Sequence, residues 1–186
     1  DRYKYLGIIL QSNGSLKHAG EDLAARARKA YFALKRKLPF DSNLSPNLLL
    51  KLYNSIIVPI LTYSSEIWIS DFKTNPNNFD KTPFEKIQNF ILRNILGVHN
   101  KASNLATKLE LGVLPIHVKI YQLAIKYYSR MNNLIKSNDN QNVLLRNAYL
   151  EDKQLCIENK KCWLSCIKSL QRLLNVNFDT ECKMLG

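Results

Sequence analysis

A chain of 186 residues has the length of one domain, or of two small helical layers sharing a core. Hydrophobic residues at 46% and charged residues at 23% exclude wholesale disorder and a collagen-like repeat. The 27 Lys and Arg against 15 Asp and Glu leave a net charge of +12, which points to a polyanionic partner, nucleic acid before an anionic membrane surface. All four cysteines, Cys156, Cys162, Cys166 and Cys182, fall in the last quarter. That placement suits free thiols in a reducing compartment, nucleus or cytoplasm, better than a disulfide framework. The most apolar window, Leu48 to Ile69, is broken by Lys51, Asn54 and Glu66 and reads as a core helix, with no membrane partner expected. The opening Asp1-Arg2-Tyr3-Lys4, with no initiator Met, reads as the edge of a piece of a longer polypeptide.

In chain order, Tyr3 to Leu10 is aromatic and β-branched and ends in the turn cluster Ser12-Asn13-Gly14-Ser15, which predicts one short strand. A lone strand has no pairing partner, so its sheet is expected upstream. From Leu16 to Leu38 apolar residues recur at helical spacing, with Ser15 placed as cap and Pro39 as stop. After a linker over Pro39 to Asn43, a second helix starts at Ser45-Pro46 and carries Leu49, Leu52, Tyr53, Ile56, Ile57, Ile60 and Leu61, with a kink expected at Pro59. Asp71 to Thr82 is a loop; Pro83 opens a helix closed by Gly97, and a short helical turn follows over Leu105 to Leu111. Pro115 begins a long helix through Leu134, and beyond the polar stretch Lys136 to Asn142 two more helices are predicted, over Val143 to Tyr149 and Cys162 to Leu174. The fold class is therefore mainly α, a helical bundle with one short N-terminal β-strand and turn.

Charge is concentrated at the start. Residues 1–38 hold nine Lys and Arg against three acids, a net +6, half of the total. On a helix over Leu16 to Leu38, Arg26, Lys29 and Arg36 fall near one line and Arg28 and Lys35 near another, with Ala27, Ala30, Tyr31 and Leu34 between them for the core. Such a helix can lie along a phosphate backbone without reading bases. The competing reading is a solvated face that complements the helix dipole.

Motifs for catalysis are missing. The sequence has no Asp-Asp pair, glycine-rich phosphate loop, Gly-x-Ser-x-Gly elbow or His-Glu-x-x-His pair. Its adjacent acids, Glu21-Asp22, are expected to complement the start of a helix dipole. His18, His99 and His117 lie in separate elements and read as surface or loop histidines. The cysteine spacing does not match a zinc knuckle or ribbon, so no metal site is expected. Trp68 and Tyr63 could stack on unpaired bases, but their helical spacing favours the core.

Three blocks together resemble the region after the catalytic core in LINE-type (non-LTR) retrotransposon reverse transcriptases, and they cover roughly residues 3–130. The first is Tyr5-Leu6-Gly7-Ile8 with the Gly14 turn and the basic Ala-rich helix. The second runs from Leu52 through Tyr53-Asn54-Ser55-Ile56-Ile57-Val58-Pro59 to Trp68, with Ser64 where many relatives have Gly. The third is Glu110-Leu111-Gly112-Val113-Leu114-Pro115-Ile116 leading into Ile125-Lys126-Tyr127-Tyr128, with Val113 where many relatives have Arg.

This resemblance implies the end of the palm over 1–14, thumb-like helices over 15–72, a loop over 73–82 and a helical extension over 83–136; the C-terminal helical segment over 137–186 is read from periodicity alone and is not assigned by it. It implies that this part of an RNA-directed DNA polymerase is catalytically silent alone, since the catalytic aspartates and their Mg lie in the palm, so no cofactor is expected in this part. Tyr5, Leu6 and Gly7 would belong to the strand beside the primer terminus. The charge pattern adds Arg26, Arg28, Lys29, Lys35, Arg36 and Lys37 as contacts to the phosphates of an RNA–DNA hybrid or RNA template, bound without sequence preference. The remainder of the reverse transcriptase polypeptide is the other expected partner. The alternatives are a helical protein-interaction module built on Ile67, Trp68, Ile69 and Phe72, a degenerate retroelement remnant, and a peripheral membrane binder using the helix Leu16 to Leu38.

Overall fold

A computed structural model describes residues 1–38, 44–72, 80–136, 142–158, 160 and 162–175. The order is β1 (Arg2–Tyr5), β2 (Ile8–Gln11), α1 (Lys17–Lys37), α2 (Pro46–Leu52), α3 (Val58–Leu61), α4 (Ser65–Trp68), α5 (Pro83–Leu96), α6 (Asn104–Glu110), α7 (Ile116–Lys136), α8 (Val143–Ile157) and α9 (Trp163–Leu174). The expected mainly helical architecture with a small N-terminal strand element is what the chain adopts. The residues read as one strand fold back as an antiparallel hairpin, with Tyr3 opposite Leu10 and Tyr5 opposite Ile8. The reversal falls at Leu6-Gly7, both at positive φ (+44° and +86°), the geometry of a two-residue hairpin turn that an apolar Leu does not signal. Pro39 to Asn43 and Cys182 lie outside the described residues, as does most of the loop over 73–82.

Helix α1 buries Ala19, Gly20, Leu23, Ala24, Ala27 and Tyr31 and packs against α3 and α5. Its start is closed from afar: the Asp71 carboxylate accepts from the Leu16 N–H and from Ser15 Oγ (2.9 Å), while Ser15 Oγ accepts from the Lys17 N–H (3.3 Å). Glu21 and Asp22 lie beyond the first turn, so their expected dipole role gives way to side-chain pairing, Glu21 with His18 (2.7 Å) and Asp22 with Arg26. Small residues let α1 approach its neighbours. A Cβ on Gly20 would stand 2.7 Å from the Phe72 ring, which is itself held between Trp68 and Phe84 at centroid distances of 5.4 and 5.2 Å.

The kink expected at Pro59 is spread over a π turn, Tyr53–Ile57, between α2 and α3. Proline supplies no N–H and its ring crowds the carbonyl four residues earlier; widening the turn relieves both effects, and the Val58 N–H donates to Tyr53 O. The helix ends at Leu61, and the turn that follows closes at Ser64, which sits at φ +48°. Past this break α4 and a 3₁₀ turn over Ile69–Asp71 drive Trp68 and Ile69 inward, each 1% exposed. The Trp68 indole donates to Tyr63 O (2.9 Å). The apolar patch expected at Ile67, Trp68, Ile69 and Phe72 is therefore core, with only Ile67 exposed, because the break re-aims the chain. Helix α5 fits its prediction to the residue, closed by Gly97 at φ +68°.

Buried polar groups bind α5 to the segment before α7. The Glu85 carboxylate, fully buried, accepts from Lys108 Nζ (2.8 Å) and the His117 N–H (3.0 Å) and pairs with His117 Nδ1 (2.6 Å). One turn on, Gln88 accepts from the Ile116 N–H (2.8 Å) and donates to Leu114 O and Tyr53 Oη (both 3.1 Å). Two α5 side chains thus satisfy the free N–H groups at the start of α7. His117 is a structural partner, not the surface histidine its isolation in sequence suggests. Burial pushes the Glu85 carboxyl up, but the hydrogen bonds from the His117 ring, Lys108 and the His117 backbone outweigh it and hold the group below the usual carboxylate range.

The C-terminal layer is longer than predicted, with α8 running to Ile157. The Asp152 carboxylate accepts from the Trp163 and Leu164 N–H groups (3.1 and 2.8 Å), and Cys162 Sγ accepts from the Ser165 N–H (3.3 Å), together capping α9. The Trp163 indole donates to Glu66 O (2.6 Å), fastening this layer to α4. Cys162 and Cys166 are buried and Cys156 half-buried; among the described residues no three His, Cys, Asp or Glu gather as a metal site. No single helix among the described residues is long and apolar enough to cross a membrane.

Three outcomes test this packing. Ser64→Gly should raise stability by about 0.5–1 kcal/mol in denaturant titration, because glycine accepts the left-handed conformation without a Cβ clash. Gly20→Ala should lower it by about 1–3 kcal/mol, since the Phe72 ring has no room to yield. With its folded-state pKa depressed, Glu85 adds stability that is full above the unfolded carboxyl pKa and disappears as pH falls through the folded value. Acid titration of Glu85→Gln should show a weaker pH dependence in that window and a loss of about 3 kcal/mol at neutral pH, from stranding Lys108 and His117.

Candidate nucleic-acid interface

The buried stripe of α1 fixes where its cations point. With one side of the helix locked into the core, Arg28, Lys29, Lys35, Arg36 and Lys37 are all exposed, and none is ion-paired with another described residue. Lys35, Arg36 and Lys37 fill the last turn, where positive charge also complements the helix dipole. Arg26 differs: it is half-buried and paired with Asp22 at the next turn toward the N-terminus. Its charge is compensated, so of the six cations expected to face phosphates five are free to do so.

The hairpin tip stands beside Arg26. Tyr63 Oη donates to Leu6 O (2.9 Å), and a Cβ on Gly7 would lie 3.4 Å from the Tyr63 ring and 3.9 Å from the Arg26 guanidinium. Tyr5 is therefore the last strand residue, while Leu6 and Gly7 form the turn and not a strand. Tyr3 and Tyr5 are 68% and 56% exposed, so the face they share is solvated. The structure brings Gly7, Tyr63 and Arg26 together beside the middle of α1 and leaves Lys35, Arg36 and Lys37 in its last turn.

Along the C-terminal half of α1 lies a shallow basic cleft with an aromatic member that charge counting does not find. Its lining includes Arg28, Lys29, Phe32 and Arg36. The Arg28 guanidinium lies 5.8 Å from the Phe32 ring centroid and 5.9 Å from that of Phe90, within cation–π range of both. Phe32 remains 40% exposed, although its ring also meets Tyr31 and Phe90 at 5.5 and 5.9 Å. Arg28, Phe32 and Arg36 occupy i, i+4 and i+8, a spacing visible in the sequence once the helix is assigned. Of the Tyr63 and Trp68 pair, Trp68 is enclosed in the core and Tyr63 alone keeps a face in solvent, next to the hairpin tip.

Comparison with protein-family models, curated proteins and solved structures finds no match. Two of the sequence blocks meet physically, since Gln88 bonds both Tyr53 in the π turn and the Leu114 to Ile116 segment.

Proposed function

We propose that this chain is a thumb and helical linker segment of a LINE-type reverse transcriptase, which grips the sugar–phosphate backbone of an RNA–DNA hybrid or RNA template while synthesis is carried out elsewhere in the polypeptide. The observation that carries this reading is the division of α1 into a side buried in the core and a solvated side with five unpaired cations. A helix anchored in this way fixes the backbone positions from which the charges project, so no backbone ordering opposes contact with a polyanion. The three sequence blocks supply the family, and the overall charge of +12 supplies long-range attraction. Contacts of this kind release counterions and carry no sequence information.

Binding of a hybrid duplex should therefore weaken steeply with salt, with log K against log [salt] no steeper than about −4.5 if five cations each neutralise one phosphate. The combined substitution Arg28→Glu, Lys29→Glu, Lys35→Glu and Arg36→Glu should abolish binding while leaving the circular dichroism spectrum unchanged. Unaltered hybrid affinity in that variant rules the reading out.

A further inference from the structure

The cations of α1 explain attraction to any polyanion; they do not explain Phe32. A half-solvated aromatic ring at the centre of a basic stripe leaves apolar surface in water, and a phosphate ridge cannot use it. The helix places Arg28, Phe32 and Arg36 on successive turns, about 6 Å apart per step and about 12 Å from end to end, with Lys29 alongside. The Arg28 guanidinium carbon lies within cation–π range of Phe32 and Phe90, and Tyr31 and Phe90 pack on the Phe32 ring, so a cation and a half-solvated aromatic ring sit together on a fixed base. Only a ligand with both a π face and flanking negative charges uses every one of these groups. The π face of a paired base is already stacked within its duplex, whereas an unpaired base offers it freely.

We infer that the outward face of α1 binds an unpaired nucleic-acid strand, one base stacking on Phe32 beside Arg28 while the neighbouring phosphates meet Lys29 and Arg36. This rests on the phosphate-gripping reading above and adds a ligand class to it: a single-stranded stretch, such as template not yet copied. The strand is recognised without preference among bases, because all four present a π face.

The full chain separates this inference from the reading beneath it when titrated with three probes: a short oligothymidylate, an abasic oligomer carrying the same phosphates, and a blunt duplex. The oligothymidylate should bind about tenfold tighter than the abasic oligomer. Phe32→Leu keeps apolar packing on Phe90 but has no π face; it should remove that tenfold advantage and leave abasic and duplex affinities within about twofold. Phe32→Trp should restore the advantage or exceed it. Equal affinity of the unsubstituted chain for the base-bearing and abasic oligomers overturns the stacking inference while salt-dependent binding leaves the phosphate reading standing. An equal loss for all three probes in Phe32→Leu overturns it as well, since the ring then only supports the fold. If no probe shows salt-dependent binding, the electrostatic reading fails and the inference fails with it.

Discussion

The fold depends on one buried polar clasp. Glu85 and Gln88, one turn apart on α5, take up the otherwise unsatisfied N–H groups at the start of α7 and reach Lys108 in α6 and Tyr53 in the π turn. A buried carboxylate is tolerated only when paired and fully hydrogen-bonded, and here His117 and Lys108 meet that demand. The clasp sets direction as well as proximity. Apolar contacts between α5 and α7 could slide, whereas these bonds form in one register only.

That register reaches the surface through α5. Tyr31 and Phe90 meet edge to face at 5.8 Å, so the helix carrying the clasp also seats the basic helix. Aromatic packing on the inner side then steadies Phe32 and Arg28 on the outer side. Charge alone is cheap to place on a surface; holding it still requires a core beneath it.

Much of this was legible in the sequence where local signals agree with the tertiary outcome. Pro83 and Gly97 bracket α5, the apolar period of Leu16 to Leu38 gives α1 within a residue, and Leu174 ends α9 as spacing predicts. The free cations of α1 follow from the same period. What failed to show was non-local. The turn at Leu6-Gly7 is stabilised by Tyr63 from 57 residues away, and Leu is a poor local signal for it. The left-handed break at Ser64, which no local signal marks, sets how Trp68 enters the core that its spacing favoured, and with Ile69 it closes the alternative docking patch. His117 looked isolated because Glu85 lies 32 positions earlier, whereas the pairing of Arg26 with Asp22, four positions back on α1, was open to a reading of helical spacing. Spacing along one helix can be read from the chain, but a partner contributed by another element cannot.

The indole bond from Trp163 to Glu66 spans 97 residues. Contacts this distant in sequence form after local ones, so α9 docks on a surface that the helices before it have already assembled. During synthesis the first seven helices emerge well before α9 does. Until then the carbonyl of Glu66 and the flank of α7 face water, a waiting seat that makes the docking of α9 a late step of maturation.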